Sequence, residues 1–488
     1  GGTQTIGLVA SYYHGYCGGF TKELDARVSA VGKKIHGGKH AGHRRIAKML
    51  CYENTLVDAG GRWYANTVVC GGLTQGKNVH GILVGSQFGL ARIEAVVTMD
   101  ATGDGDVAAF CGAQMTFGNP RNGNVQDYSQ WSKGTGRWQS RSLDLDVIDQ
   151  RYFSEMLRGL TIAHQKGFWF DFAAMLTVRE GRHVVGEYTL DVRDILEGRR
   201  FADAIAFAST DWDPHGISSS DLGRLGFLPV HMQLLPTQIP FRCCIPKGLN
   251  RLIVTAKAIS ATTDAACLCR MAADVQNLGY ATGLAAVLTA GAEGNPRSID
   301  LDSLQERLIR ESVLPGTSDA PPAPSRGTAE ERILRLAEGD ETALLDVTLL
   351  PAGAATPLLE ATWAEARGNR IELAKGLAWF GDARGQDTLV AELDRLATSE
   401  GDSAYDDTHP HKGGNPRAGI VDESDDYWRI NQLLTLVGRA KVAEALPAVA
   451  RVIELAWAGG EPVRSLNDYI KGRIDMQRVP HFDRLLCI

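Results

Sequence analysis

The 488 residues contain no apolar run of the roughly 18 needed to cross a bilayer as a helix, so no membrane span is expected. No charged and apolar leader opens the chain. It starts Gly1-Gly2-Thr3 without a methionine, which leaves open a preceding segment and an export signal with it. Basic residues are not in excess. The 51 Lys and Arg against 58 Asp and Glu give a net charge of −7, so neither nucleic acid nor an anionic membrane is expected as a partner. The nine cysteines include no CxxC pair, their number is odd and most lie in apolar surroundings. This predicts reduced, buried thiols and a cytoplasmic compartment. Cys243-Cys244 would make a strained vicinal disulfide, and its context, IPFRCCIP, reads as packing rather than redox chemistry. His409 and His411 have no third ligand at a suitable spacing, so no metal is expected.

With 44% hydrophobic and 22% charged residues, the chain suits a soluble globular protein of two or three domains. Residues 41–54 have helical spacing. Three short strands should follow as a meander, with turns at Gly76-Lys77-Asn78 and Phe88-Gly89-Leu90 and the last strand ending at Met99. Residues 120–250 are less regular and rich in Trp, Tyr, Arg and Asp. RLIVTAKAIS (251–260) reads as a buried strand, and 270–291 has helical content. SVLPGTSDAPPAPSRGT (312–328) is a linker. Beyond it the chain becomes helical. Residues 371–393 and 429–453 each read as a helix, a glycine turn and a second helix, with Gly381 to Leu389 spaced as Gly438 to Leu446. This resembles helical-hairpin repeats of the HEAT type; two ordinary helix pairs are the simpler reading.

The most informative stretch is DATGDGDVAAFCGA, Asp100 to Ala113, at a strand-to-helix junction. Glycine lets the backbone approach a flat or anionic ligand closely. Helix starts offer unpaired N–H groups there. Asp104 and Asp106 could accept from a ribose, cap the next helix or orient the loop. A second such stretch is Asn277 to Gly283, whose small residues read either as the opening of a helix, positive at its N-terminus, or as tight packing.

Three segments in order, GGTQTIGLV (1–9), DATGDGDVAAFCGA (100–113) and IPFRCCIPKGLN through GLAA (239–286), resemble the FAD-dependent oxidoreductases of the glutathione-reductase-like group over roughly residues 1–290. The resemblance implies an α/β fold in which a Rossmann-like FAD-binding domain carries an inserted mixed α+β substrate domain and is followed by an all-α, HEAT-like domain. The implied boundaries are 1–120 and 239–311 for the FAD domain, 121–238 for the substrate region, 312–328 for the linker and 329–488 for the helices. It implies FAD as cofactor, held by Gly1, Gly2, Thr3, Thr102, Gly103, Asp104, Asn277, Gly279, Ala281, Thr282 and Gly283. The family's usual start, a strand and GxGxxG opening a helix, is not in this sequence. The resemblance implies that about thirty residues of that unit are absent here. Either they are disordered and dropped by renumbering or they belong to a second chain or peptide, the two preferred explanations; the third is a degenerate relative that does not hold FAD.

A flavin takes a hydride at N5, so the protein must supply a proton acceptor and positioning groups. His14 in SYYHGYCGGF and His215 in DWDPHG are the candidates, with Arg242 beside them. His215 sits near Trp212 and Asp213, which could fix its tautomer. Arg182 and Tyr188 are candidates for holding a carboxylate or hydroxyls, Arg182 through its planar fork; salt bridges at a domain interface explain the arginines equally well, and His183 is read with the same reserve. The expected reaction is hydride transfer between FAD and a small organic substrate, with a sugar, polyol or hydroxy acid preferred. The other reading is a non-catalytic subunit of a split flavoprotein that binds a partner through its helices. A homo-oligomer is compatible with either.

Overall fold

The computed structural model describes residues 2–7, 9, 14–36, 44–120, 125–126, 128–133, 140–145, 152–166, 171–172, 177–212, 220–225, 234–316, 325–368, 370–398 and 427–458. It divides into two compact units, Gly1–Gly216 with Met232–Pro322, and Ile217–His231 with Ala323–Ile488.

In the first unit a 3-10 turn, Gly2–Gln4, precedes helices α1 (Gly19–His36) and α2 (Arg44–Asp58). These pack on each other through Leu24, Val28, Ala47 and Cys51. Strands β1 (Thr67–Gln75), β2 (Asn78–Ser86) and β3 (Gly89–Glu94) then form the expected antiparallel meander, in that order. The third strand ends at Glu94 rather than Met99. Thr98–Asp100 is a separate strand, β4, which leaves the meander and pairs in parallel with a strand 154 residues later.

After β4 come helix α3 (Asp106–Phe110) and strands β5 (Met115–Phe117), β6 (Tyr128–Lys133) and β7 (Ser140–Leu145). Helix α4 (Phe153–Lys166) and strand β8 (Asp171–Phe172) follow, and β6 lies between β7 and β8. Strand β9 (Arg182–Val184) pairs with β5; helix α5 (Val192–Leu196) leads to strand β10 (Ala204–Thr210). In the same unit β10 pairs antiparallel with β11 (Leu235–Pro240). Then come β12 (Leu252–Val254), the parallel partner of β4, and helices α7 (Thr263–Cys267), α8 (Ala272–Gly291) and α9 (Leu301–Arg310).

The β4–β12 ladder sets Leu252 against Thr98 and Val254 against Asp100. A parallel pair needs a long crossover, which here is the whole of residues 101–251. Val79, Val107, Ala108, Leu252, Val254 and Ala258 form the core around it. Helix α8 is apolar on most sides and packs against β10. The architecture is a mixed α/β one, with α8 as the element that both the parallel pair and β10 touch.

In the second unit the short helix α6 (Asp221–Arg224) accompanies α10 (Ala329–Ala337), α11 (Ala343–Thr348), α12 (Ala352–Glu365), α13 (Ile371–Trp379), α14 (Gln386–Thr398), α15 (Tyr427–Arg439) and α16 (Leu446–Ala458). Ile333, Leu336, Leu344, Val347, Leu359, Leu373 and Leu377 make one core. Both predicted helix pairs are present, but their glycines are not equivalent. Gly381 lies beyond the end of α13 at φ 85°, whereas Gly438 is still inside α15, and the left-handed turn after α15 falls on Lys441 at φ 55°. Gln432 donates to the Leu225 carbonyl, so residues around α6 belong with these helices.

Candidate functional site

The glycine turn after β4 is organised by Asp100, which is 1% exposed. Its Oδ1 accepts from the Thr102 amide at 3.0 Å and the Thr102 hydroxyl at 2.7 Å. Its Oδ2 accepts from the Ala108 amide at 2.9 Å. The Thr102 hydroxyl oxygen in turn accepts from the Asp106 amide. Asp100 and Thr102 therefore serve the start of α3, a role expected of Asp104 or Asp106. Gly103 at φ 93° and Gly105 at φ 65° occupy the left-handed region, where a side chain is strained. At Gly105 a methyl would also come 2.7 Å from the Met115 terminal carbon.

Asp104 turns outward and accepts from Lys257 at 2.9 Å. Arg182 donates to the Asp104 carbonyl at 3.0 Å and pairs with the Asp106 carboxylate. Burial pushes the Asp106 carboxyl up, more than Arg182 holds it down. Arg182, a substrate candidate from sequence, and Asp104, a cofactor candidate, thus share one corner.

The stretch Asn277–Gly283 does not open a helix. It lies inside α8, whose first residue is Ala272 after Met271. The run of apolar and small residues from Arg270 onward hides the true start, because Met271 gives no side-chain cap. Asn277 is turned toward the N-terminal segment: its Oδ1 accepts from the Thr21 amide, and its Nδ2 donates to the carbonyls of Tyr16 and Gly18. Ala281 is fully buried. The Thr282 hydroxyl lies 3.0 Å from that of Thr255, whose amide donates to the Asp100 carbonyl at 2.9 Å. One residue, Thr255, therefore joins the Asp100 turn to the middle of α8. Gly279 and Gly283 are not packing contacts: a methyl on either would meet no atom within 4 Å.

A second corner forms at the first turn of α8. Asp274 is fully buried. Its Oδ1 accepts from the Tyr16 amide at 2.6 Å, and its Oδ2 meets no hydrogen-bond partner among the described residues. Burial, opposed by the amides of Tyr16 and Ser209, pushes its carboxyl up to about 7. Two residues before Tyr16, His14 puts Nε2 3.4 Å from Asp211 Oδ2, with the two side chains 14% and 2% exposed. Asp211 directly follows β10. Thr210 Oγ1 and Trp212 Nε1, on either side of it, are buried and have no hydrogen-bond partner among the described residues. Asp274 is eight residues before Thr282, so the two corners lie about 12 Å apart along α8.

The other candidates stand elsewhere. Gly2 and Thr3 form the 3-10 turn, where their carbonyls accept from Gly7 and Val9. Gln4, beside them, takes the ammonium of the fully buried Lys48. Arg242 is engaged by the Asp203 carboxylate through Nε and Nη2, and its guanidinium lies 5.1 Å from the Tyr188 ring centre. The Tyr188 hydroxyl is 2.7 Å from both oxygens of Asp194, and burial first, then Asp194, push it up to about 12. His183 is buried, with Nδ1 3.0 Å from the Ile259 carbonyl and Nε2 3.4 Å from Glu180. Cys243 and Cys244 are free, buried thiols, and burial raises both. Cys17 and Cys70, by contrast, are exposed. Gly1, His215, His409 and His411 lie outside the described residues. Among the described residues no His, Cys, Asp and Glu cluster could hold a metal, and no helix is long and apolar enough to cross a membrane.

Three residues escaped the sequence reading: Asp100, Asp211 and Asp274. Asp211 is visible in TDWDPHG, next to residues that were singled out. Asp274 was detectable as the one acid in the apolar run 271–291.

A family model described as FAD dependent oxidoreductase matches residues 1–146 and 127–308, more than half of the chain. The chain belongs to this family. It is therefore an FAD-dependent oxidoreductase, and FAD is its cofactor. No curated protein and no solved structure matches the chain. Two observations test whether the residues fit FAD. Glycines at 103, 279 and 283 leave backbone that a flat or anionic group can approach. At the start of α8, Thr210, Trp212 and Asp274 offer buried polar atoms that a bound polar group would satisfy. The residues fit. Those able to hold the cofactor are Thr102, Gly103, Asp104, Gly279 and Gly283, together with the amides of the first turn of α8.

Proposed function

We propose that this flavoenzyme oxidises a small hydroxylated molecule, a sugar, polyol or hydroxy acid, with His14 and Asp211 as its proton-accepting pair. The observation that carries this is the 3.4 Å contact between His14 and Asp211, nearly buried beside the first turn of α8. Bound FAD supplies a hydride acceptor. The chain's own residues handle the proton. Asp211 faces Nε2 and holds the proton there, which leaves Nδ1 as the basic nitrogen for the substrate hydroxyl. The Asp211 carboxylate then stabilises the imidazolium. The substrate would lose its hydroxyl proton to His14 and, with FAD bound as the hydride acceptor, would leave as the carbonyl compound.

In this reading Gly103 and Asp104 hold the nucleotide side of FAD, on a turn that Lys257 and Arg182 brace. The start of α8, positive in sign, would favour the negative charge that a bound flavin gains on reduction. Arg242 is engaged by Asp203 and Tyr188 by Asp194, so neither is proposed to bind substrate. His215, four residues after Asp211, is proposed as a substrate contact. The helical unit is proposed to be HEAT-like. The FAD-loaded protein, mixed without oxygen with a panel of polyols, sugars and hydroxy acids, should show flavin bleaching with one class. His14→Gln should slow that bleaching by about 10²–10⁴-fold with FAD still bound. Bleaching by His14→Gln at the wild-type rate would refute the assignment.

A further inference from the structure

Asp274 is a fully buried acid whose use is not explained by α8 itself. It sits in the first turn, yet it caps nothing in the helix; its Oδ1 reaches out to the Tyr16 amide at 2.6 Å. The segment it grips comes unusually close. Gly15 has φ 125°, and a methyl on it would lie 2.9 Å from the Ala273 methyl and 3.2 Å from Asp274 Oδ1. One turn on, Asn277 takes the carbonyls of Tyr16 and Gly18. The Tyr16 ring meets Phe207 of β10 edge-on, with ring centres 5.3 Å apart. The backbone on the C-terminal side of His14 is thus fixed against α8 and β10, and the exit of β10 carries Asp211.

We propose that Asp274 is the positioning residue of His14: by holding the Tyr16 amide it seats the loop so that the imidazole meets Asp211. This rests on the reading of His14 and Asp211 as the proton-accepting pair, but its geometry stands without it. A group with two acceptor oxygens suits the task. Oδ1 serves the Tyr16 amide, the Ser209 amide also acts on the carboxyl, and Oδ2, which meets no hydrogen-bond partner among the described residues, can carry the proton that burial favours. Among the described residues, Cys269 on the approach to α8 feels the Asp274 charge, and Tyr16 meets it through its backbone amide.

The test reads His14 directly, without substrate or FAD. In the full chain, labelled with ¹⁵N-histidine, the His14 ring signals are those lost in His14→Gln. Asp211→Asn should shift them in the wild-type background. In the Asp274→Ala background the same Asp211→Asn change should no longer move them. Asp274→Asn keeps an acceptor for the Tyr16 amide and should restore the shift. Gly15→Ala, which lifts the loop and leaves α8 intact, should abolish it, and serves where Asp274→Ala does not fold. A response to Asp211→Asn that persists undiminished in Asp274→Ala or in Gly15→Ala, or that is lost in Asp274→Asn, would overturn the proposal. Flavin bleaching that survives His14→Gln would instead refute the catalytic reading and leave this one standing.

Discussion

The hydroxyl of Thr282 lies 3.0 Å from that of Thr255. Through Thr255 the middle of α8 is tied to the turn built by Asp100, although 182 positions separate Asp100 from Thr282 in the chain. This link joins the two elements proposed to hold FAD, the Asp100 turn and α8.

Asp100→Ala should be among the most damaging changes in the first unit. It removes three hydrogen bonds to a buried carboxylate and leaves the amides of Thr102 and Ala108 without their acceptor. The expected loss is about 3 kcal/mol, since hydrogen bonds to charged groups are worth more than neutral ones but are not additive. Urea unfolding midpoints of the two proteins measure it.

Asp274 should make stability fall with rising pH. Its carboxyl is ordinary in the unfolded chain and pushed up to about 7 in the fold. The folded state therefore keeps a proton that the unfolded state gives up. That contribution is fully present below about pH 4 and is lost as pH rises to about 7. Asp274→Asn should match the wild type at pH 4 and exceed it at pH 8, by about 4 kcal/mol at most. Equal midpoints for the two proteins from pH 4 to pH 8 would show that Asp274 ionises normally.

Ala256 stands at φ 61°, in the left-handed region, immediately after Thr255. A side chain is strained there, and glycine is not. Ala256→Gly should raise stability by about 1 kcal/mol, less whatever the freer unfolded chain offsets. Thermal unfolding reads the sign directly.

Much of the first unit was legible because local patterns were strong. The meander announced itself by alternation and by turn residues at Gly76 and Gly89. The turn after β4 was legible because DATGDGD places glycines at positions that have positive φ. What could not be read depended on distance in sequence. That Thr98–Asp100 leaves the meander for β12 follows from a pairing across 154 residues, which no local window contains. The start of α8 was misplaced because Met271 is an unmarked cap and Gly279 looked like a boundary. Asp274 and Asp211 carry no local signal of their neighbours, since what defines them is the burial that tertiary packing imposes.

The central proposal is that FAD is held by the Gly103 turn and by α8, where Gly279 and Gly283 leave the helix backbone uncovered. Gly279→Leu tests it most directly. A side chain there meets no atom within 4 Å at its root and replaces a poor helix former, so the protein should fold at least as well as the wild type. The measurement is FAD affinity by titration calorimetry of both proteins. The account predicts that Gly279→Leu loses FAD binding by 100-fold or more, about 3 kcal/mol, with its unfolding temperature undiminished. FAD bound as tightly by Gly279→Leu as by the wild type would contradict it.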